Sequence, residues 1–148
     1  MRRAEYMAKA CDPKTLTVHQ IMEDAVFTCS PGTVGVIVAQ VLTDRNFGSI
    51  PVVDDGRRLL GLISEFDLLK AMTDGKDLQK VAAEDIMTPE ENLVTVTEET
   101  PVMDLVKILQ ESHLIRVPVV KDKTLVGIVA RRDIVFGYVK AVARYWLP

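Results

Sequence analysis

The chain of 148 residues is 48% hydrophobic and 26% charged, a composition typical of a globular protein with its own core. Its net charge of −3 argues against a dedicated nucleic-acid-binding protein, which normally carries a basic domain or stripe. Two cysteines are too few for a disulfide scaffold and suit a reducing compartment, and no apolar run is long enough to cross a membrane. We therefore expect a cytoplasmic protein that binds neither nucleic acid nor membrane.

Residues 1–15 are predicted to form an N-terminal leader or a short helix, with residues 11–13 (Cys-Asp-Pro) as the stop signal. Beyond them the chain repeats itself. Residues 18–22 (VHQIM) return as residues 83–87 (AEDIM), 83 − 18 = 65 positions later. Residues 50–53 (IPVV) return as residues 117–120 (VPVV), 117 − 50 = 67 positions later.

Each copy predicts the same series of elements. A strand is predicted at 25–28 and again at 93–96, and a Ser-Pro or Thr-Pro pair then opens a helix. The segment 33–42 is rich in β-branched residues and alone favours a strand. Its counterpart at 102–109 has apolar residues spaced along one helical face, so we predict a helix in both copies.

Each copy ends with a strand that runs directly into a helix. Residues 61–67 (GLISEFD) and 127–133 (GIVARRD) share a frame of glycine, two apolar residues, a small residue and a later aspartate, 127 − 61 = 66 positions apart. An apolar run after glycine is typical of a buried strand, and the aspartate is typical of the first turn of a helix. We predict these closing helices at 65–73 and 131–144.

The predicted fold class is therefore α/β (α+β), with two β-α-β-β-α repeats packed as a pseudo-twofold pair. One repeat of this size cannot bury its sheet alone, so the two should pack on each other. We place the first repeat at residues 16–80 and the second at residues 81–148, where it includes the C-terminal helix.

A hydroxyl and a carboxylate lie at the junction of the first repeat. Asp67 can accept two hydrogen bonds at once, as the vicinal 2′ and 3′ hydroxyls of a ribose require. Ser64 offers a rotatable hydroxyl for the ribose or an α-phosphate, and the start of the following helix favours bound anions. The same two residues are also suited to capping that helix, so the motif alone leaves a ligand role and a capping role open.

The second repeat keeps only part of this pattern. Ala130 stands where the hydroxyl would be and Asp133 remains, while Arg131 and Arg132 add positive charge at a helix start, where it is unfavourable. A bound anion would offset that charge, although two solvated surface arginines are the plainer interpretation. We expect weaker, different or absent binding at this junction.

These motifs resemble those of a tandem pair of CBS domains, also called a Bateman module. The resemblance rests on the Ile-Met pairs at 21–22 and 86–87, the two apolar-Pro-Val-Val segments and the two junction motifs, and it covers residues 16–144. It implies clefts between the halves that bind AMP, ADP or ATP as regulatory ligand, ahead of NAD or S-adenosylmethionine, with no required cofactor. It also implies a homodimer that regulates an effector protein and does not catalyse a reaction.

The resemblance assigns further residues to two sites. The first site surrounds Ser64 and Asp67, and its other members are Thr88 beside the base, Arg116 as a phosphate contact, and Leu62, Ile63, Leu93, Val94, Ile115, Val117 and Pro118 as apolar walls. The second site surrounds Arg131, Arg132 and Asp133 and follows Ile128; its partner wall is Ala25, Val26, Phe47, Gly48, Ser49, Ile50 and Pro51. Arg116 is equally suited to a solvated strand edge.

Other chemistry finds little support in the sequence. Cys11, His19 and Cys29 lack metal-ligand spacing, neither cysteine has an evident base, and no Gly-rich phosphate loop is present. We therefore predict no metal and no catalytic residues. Two hypotheses follow: a regulatory module that senses adenine nucleotides, and a constitutive dimeric scaffold without a physiological ligand.

Overall fold

A computed structural model describes residues 12–142 of the chain. Most of the predicted leader and the last two positions of the helix predicted at 131–144 lie outside these residues. In chain order the elements are α1 (Val18–Ile21), α2 (Gly35–Arg45), β1 (Ser49–Val53), β2 (Leu59–Ser64), α3 (Glu65–Thr73), α4 (Ala83–Ile86), β3 (Thr88–Pro89), α5 (Val102–Ser112), β4 (Arg116–Lys121), β5 (Thr124–Ala130) and α6 (Arg131–Val142).

The described residues form two compact units that do not coincide with the two sequence repeats. The repeat-1 unit comprises residues 27–93 and 123–125 and contains an antiparallel sheet of order β1-β2-β3. The repeat-2 unit comprises residues 12–26, 94–122 and 126–142, and α1 therefore belongs to it. β4 and β5 form a second, two-stranded sheet.

The ambiguous segment at 33–42 is a helix, as predicted, and extends to Arg45 as α2. Its start is fixed by tertiary contact, because Gly35 N donates to Val81 O at 2.8 Å. α5 begins in the same way, with Val102 N donating to Leu16 O at 2.8 Å. Neither helix has a side-chain cap, since main-chain carbonyls from elsewhere in the unit satisfy these first amides.

The closing helices are also confirmed. α3 spans the predicted residues 65–73, and α6 begins at the predicted residue 131 and continues to the end of the described chain. In both repeats the preceding strand ends one residue before the helix begins, so the strand runs into the helix without a loop.

The strands predicted at 25–28 and 93–96 are wrong. Single parallel bridges replace them, from Cys29 to Val52 and from Val96 to Val119. Cys29 N donates to Pro51 O at 3.0 Å, and Val96 makes the corresponding bond in the other unit at 3.1 Å. Cys29 and Val96 each make two main-chain hydrogen bonds to the neighbouring strand. The chain then leaves the sheet, so no ladder of hydrogen bonds forms.

Met22 and Met87, which directly follow α1 and α4, explain why each junction motif must begin with a glycine. A Cβ at Gly61 would lie 2.5 Å from Met87 Sδ and 2.6 Å from Thr88 O. A Cβ at Gly127 would lie 2.7 Å from Met22 Sδ. Each Ile-Met motif thus packs on the junction strand of its own unit, which explains why residues 12–26 belong to the repeat-2 unit. The boundary between residues 80 and 81 stays a prediction from the repeat.

Each unit has its own hydrophobic core, built mainly from Val, Ile and Leu. Val38, Ile50 and Ile63 are almost fully buried in the repeat-1 unit. Ile21 and Leu105 have no exposed surface in the repeat-2 unit. These cores hold the strand ends in place, and the strand ends position the two junctions.

Candidate ligand sites at the two strand-to-helix junctions

The first junction is a reciprocal capping box between Ser64 and Asp67. Ser64 Oγ accepts a hydrogen bond from Asp67 N at 3.1 Å, and Asp67 Oδ2 accepts one from Ser64 N at 2.8 Å. The Ser64 hydroxyl also donates to Asp67 Oδ2 at 3.0 Å. The structure therefore shows the capping role that the sequence left open beside a ligand role.

Asp67 has a second oxygen that reaches across to β3. Asp67 Oδ1 accepts a hydrogen bond from Thr88 Oγ1 at 3.1 Å, so the structure brings together three predicted site residues, Ser64, Asp67 and Thr88. Two of the three groups that donate to this half-buried carboxylate are hydroxyls. Because hydroxyls rotate, they can turn toward a ligand and leave the carboxylate able to accept the ligand's own hydroxyls.

A cavity of about 290 Å³ adjoins this carboxylate within the repeat-1 unit. Asp67, Thr88 and Asn92 line it, together with two lysines and two further acidic residues. Lys70 Nζ lies 3.3 Å from Asp74 Oδ2, and Lys76 Nζ donates to Asp85 O at 3.2 Å. Its volume is at the lower end for ligand pockets, enough for part of a nucleotide. The cavity therefore combines a carboxylate suited to ribose with lysines whose charge the neighbouring acidic residues offset.

The sequence did not single out the two lysines or Asn92. Lys70 follows Asp67 by three positions on α3, so helical spacing places it on a neighbouring part of the same face and could have indicated it. Lys76 and Asn92 lie outside α3, where no periodic pattern applies. Their position beside Asp67 is a consequence of tertiary structure.

Gly48 and Ser49, which the sequence analysis grouped with the second site, lie beside the first junction. Gly48 O accepts a hydrogen bond from Glu65 N at 3.1 Å, and Ser49 pairs with Ser64 across β1 and β2. Pro51 follows in β1 and is buried. Within the repeat-1 unit, these residues support the start of α3.

The second junction has the carboxylate without the hydroxyl. Asp133 is 4% exposed, and its Oδ2 accepts a hydrogen bond from Ala130 N at 2.8 Å. Arg131 N donates to Ile115 O at 3.0 Å and ties the start of α6 to the residue before β4. The second repeat therefore has the same strand-to-helix junction as the first, but its aspartate is more deeply buried than Asp67.

Arg116 belongs to this second junction, although the sequence analysis grouped it with the first motif. Burial lowers the pKa of its guanidinium, the Asp133 carboxylate raises it, and the charge of Arg132 lowers it again. Arg116 is half-buried, whereas Arg131 and Arg132 are exposed. Two guanidinium groups, those of Arg116 and Arg132, and the Asp133 carboxylate thus interact at this junction, and guanidinium groups are suited to binding an anion.

The other predicted wall residues differ in exposure. In the repeat-1 unit Ile63 is fully buried in the core, while Leu62 and Leu93 are half-buried. In the repeat-2 unit the buried members are Val117, Pro118 and Ile128, the half-buried one is Val26, and the exposed ones are Val94 and Ile115. The half-buried and exposed residues are the ones whose side chains a ligand can reach directly.

Residues 12–142 contain no cluster of three or more His, Cys, Asp or Glu side chains that could hold a metal ion. Within the same residues, no helix is both long and apolar enough to cross a bilayer.

The sequence model of the CBS-domain family matches the chain twice, at residues 18–74 and 83–140. The chain belongs to the CBS-domain family. Both matches include a junction motif with its aspartate, so each CBS domain of this chain carries one of the two candidate sites.

Solved CBS pairs share the fold of this chain. The crystal structure of CBSX2 in complex with AMP has a TM-score of 0.70 and 27% identity, covering 80% of this chain and 92% of that one. The CBS pair of protein MJ0100 in complex with 5′-methylthioadenosine and S-adenosyl-L-methionine has a TM-score of 0.72 and 30% identity, covering 82% and 94%. The ligands of both neighbours contain adenosine.

Curated relatives are longer than this CBS chain. The mitochondrial CBS domain-containing protein CBSX3 of Arabidopsis thaliana is 36% identical over 97 residues, 64% of this chain and 47% of that protein. A relative from Methanocaldococcus jannaschii is named L-aspartate semialdehyde sulfurtransferase, and the match covers only 18% of it. The likeness to both relatives is confined to part of their length.

Proposed function

We propose that this CBS chain is a regulatory module that binds an adenosine-containing ligand, with Asp67 holding the ribose. The observation that carries this proposal is the half-buried Asp67 carboxylate, which adjoins a cavity and is bonded by the rotatable hydroxyls of Ser64 and Thr88. The solved CBS pairs with AMP or S-adenosylmethionine support the ligand class. Ligand binding would shift an equilibrium between two conformations of the chain, and an effector protein would bind one of them in preference to the other.

Among such ligands we favour AMP, ADP and ATP over S-adenosylmethionine. The second junction gathers Arg116 and Arg132 with Asp133, whereas acidic residues offset the lysines of the first cavity. Guanidinium and ammonium groups recognise phosphate, which S-adenosylmethionine lacks. The phosphate of an adenine nucleotide can therefore pair with the positive side chains there, whereas S-adenosylmethionine has no phosphate to do so.

Calorimetric titration tests the proposal with AMP, ADP, ATP, NAD and S-adenosylmethionine as probes. We expect submillimolar binding of an adenine nucleotide, weakened about tenfold or more by Asp67→Asn because a charged hydrogen-bond acceptor is lost. Asp55→Asn is the matched control, since Asp55 is exposed in a turn and belongs to neither junction motif. If Asp133→Asn weakens binding more than Asp67→Asn, the second junction is the principal site.

The second candidate function is a constitutive scaffold without a physiological ligand. The capping box favours it, because Ser64 and Thr88 already satisfy the Asp67 carboxylate and α3 needs no ligand to begin. Absence of heat with all five probes, together with unchanged thermal stability, would favour the scaffold. We infer no catalytic role in either case, since the solved neighbours are CBS pairs with bound small molecules.

We further propose that the chain acts as a homodimer. Both units expose large apolar side chains on a closing helix, among them Leu69 at 57% on α3 and Val135 at 64% on α6. Such side chains in both units favour coverage by another protein surface. Light scattering of the purified chain tests this proposal, and a monomer at every concentration would refute it.

A further inference from the structure

The first cavity lies between two segments of the repeat-1 unit. One wall is α3 with the residues directly after it, and the other wall is formed by α4, β3 and the short turn that follows β3. A hydrogen bond joins the two walls at each end of α3. Thr88 Oγ1 donates to Asp67 Oδ1 at 3.1 Å near the start of α3, and Lys76 Nζ donates to Asp85 O at 3.2 Å just beyond its end. Lys76 therefore links the walls at the end of the cavity that lies away from the ribose-binding carboxylate.

The main chain of Lys76 is held in place, although its side chain is exposed. Gly75 N donates to Met72 O at 3.1 Å and Lys76 N donates to Ala71 O at 3.0 Å, the two bonds of a Schellman ending for α3. Gly75 has the left-handed conformation that this ending requires, with a φ of 75°. The Lys76 side chain therefore extends to α4 from a fixed position at the end of α3.

The acceptor of this bond belongs to the end of α4, and Thr88 lies three residues beyond it. α4 has four residues, and Asp85 O is one of its last carbonyls, which have no partner within the helix. A lysine side chain can satisfy such a carbonyl. β3 pairs with β2 over only two residues, so a short ladder holds Thr88 on its other side. The position of the end of α4 thus contributes to the distance between Thr88 and Asp67.

We propose that Lys76 is a positioning residue of the first site. It holds the end of α4 against the end of α3 and so keeps Thr88 Oγ1 within hydrogen-bond distance of the Asp67 carboxylate. The inference rests on the proposed function, in which that carboxylate holds the ribose of the ligand. The competing role is direct contact between Lys76 and a phosphate of the ligand, since Lys76 also lines the cavity.

Titration calorimetry with adenosine and AMP separates these roles, because adenosine has the ribose of AMP without its phosphate. Lys76→Met removes the donor and the charge at nearly unchanged side-chain length. We expect it to weaken the binding of both probes by the same factor, about threefold to tenfold, as the loss of one hydrogen bond does. Lys76→Arg keeps a donor, so it should restore most of the affinity for both probes.

Lys70→Met is the matched control. Lys70 lines the same cavity but pairs with Asp74, four positions further along the same wall, so its loss removes a charge without removing a bond between the walls. We expect its affinity for adenosine to equal that of the native chain. In the ligand-free chain, the ¹H–¹⁵N resonance of Thr88 should move in Lys76→Met, return toward its native position in Lys76→Arg and stay unchanged in Lys70→Met.

The outcomes separate the positioning role from the proposed function. Weaker binding of AMP with unchanged binding of adenosine in Lys76→Met would show direct phosphate contact and overturn the positioning role. Native affinity for both probes, or an unmoved Thr88 resonance, would overturn it as well. If the native chain binds neither adenosine nor any of the five probes named above, the proposed function fails, and the ligand-free Thr88 resonance still decides whether Lys76 sets the position of Thr88.

Discussion

At the scale of single residues, Asp67 and Asp133 hold the same position in two copies of one motif but have different surroundings. Asp67 is half-buried and bonded to the hydroxyls of Ser64 and Thr88. Asp133 is almost fully buried and bonded to the amide of Ala130, and its charge raises the pKa of Arg116. The sequence could predict the carboxylates and the missing hydroxyl at Ala130. It could not predict the depth of burial, which depends on tertiary packing.

Loss of the cap should destabilise the repeat-1 unit. Ser64→Ala removes the side-chain acceptor for Asp67 N, so we expect the free energy of unfolding to fall by about 1 kcal/mol. Urea denaturation followed by circular dichroism measures the change. Ser30→Ala, at an exposed position outside a helix, should change it by less than about 0.5 kcal/mol. If the two variants are equally stable, the capping box does not contribute to stability.

The thiol of Cys29 should be resistant to alkylation at moderately alkaline pH. Burial raises the pKa of Cys29 from its ordinary value of 9.0 to about 11, because the thiolate is the charged form. The neutral thiol therefore stabilises the folded state, and this contribution is lost as pH rises from about 9 through 11.

The labelling rate with iodoacetamide, measured in a Cys11→Ser chain, tests this expectation. The midpoint of the rate against pH should lie near 11 in the folded chain, and near 9 in urea, with circular dichroism confirming the fold. A midpoint near 9 in both conditions would show that Cys29 is not desolvated.

At the scale of elements, the helices could be predicted more reliably than the first strand of each repeat. The ambiguous segment at 33–42 was assigned correctly because its copy at 102–109 has clear helical spacing. The segments at 25–28 and 93–96 have strand-like composition, but the only bridges near them are single ones, at Cys29 just after the first segment and at Val96 in the second. Composition reports how well residues suit a sheet, whereas the number of hydrogen bonds depends on how long a neighbouring strand stays alongside.

The close approach at Gly61 leads to a prediction for β2. Gly61→Ala should destabilise the chain by about 1–3 kcal/mol, because its Cβ would lie 2.6 Å from the main-chain oxygen of Thr88, which cannot move independently of β3. Gly32→Ala is the control, since a Cβ there meets no atom within 4 Å. Thermal unfolding of the two variants measures the difference. Equal midpoints would contradict the packing of Met87 and Thr88 on β2.

At the scale of the whole molecule, the repeat and the compact units give different divisions of the chain. The periodicity could predict which segments correspond, and the family match at both repeats agrees with that correspondence. It could not show that residues 12–26 belong to the repeat-2 unit, or that Arg116 lies beside Asp133. The sequence alone shows which segments of the two repeats correspond. Which segments pack together depends on how side chains fit, as where Met22 packs over Gly127.

The proposed function assigns the two junctions unequal roles within one regulatory protein. The first has a half-buried carboxylate bonded to two hydroxyls, and the second has a buried carboxylate beside arginines. A ligand that uses both the ribose contact and the phosphate contacts would have different affinities at the two junctions. Unequal sites would let one chain respond to a nucleotide over a wide concentration range.

Amide-resolved NMR titration of the uniformly ¹⁵N-labelled chain with AMP tests the central claim most directly. We predict that the amides of Ser64, Asp67 and Thr88 shift progressively and saturate at submillimolar AMP, with smaller or later shifts at residues 130–133. No shift at either junction with AMP, ADP, ATP, NAD or S-adenosylmethionine, or shifts confined to other parts of the chain, would contradict the claim that these junctions bind an adenosine-containing ligand.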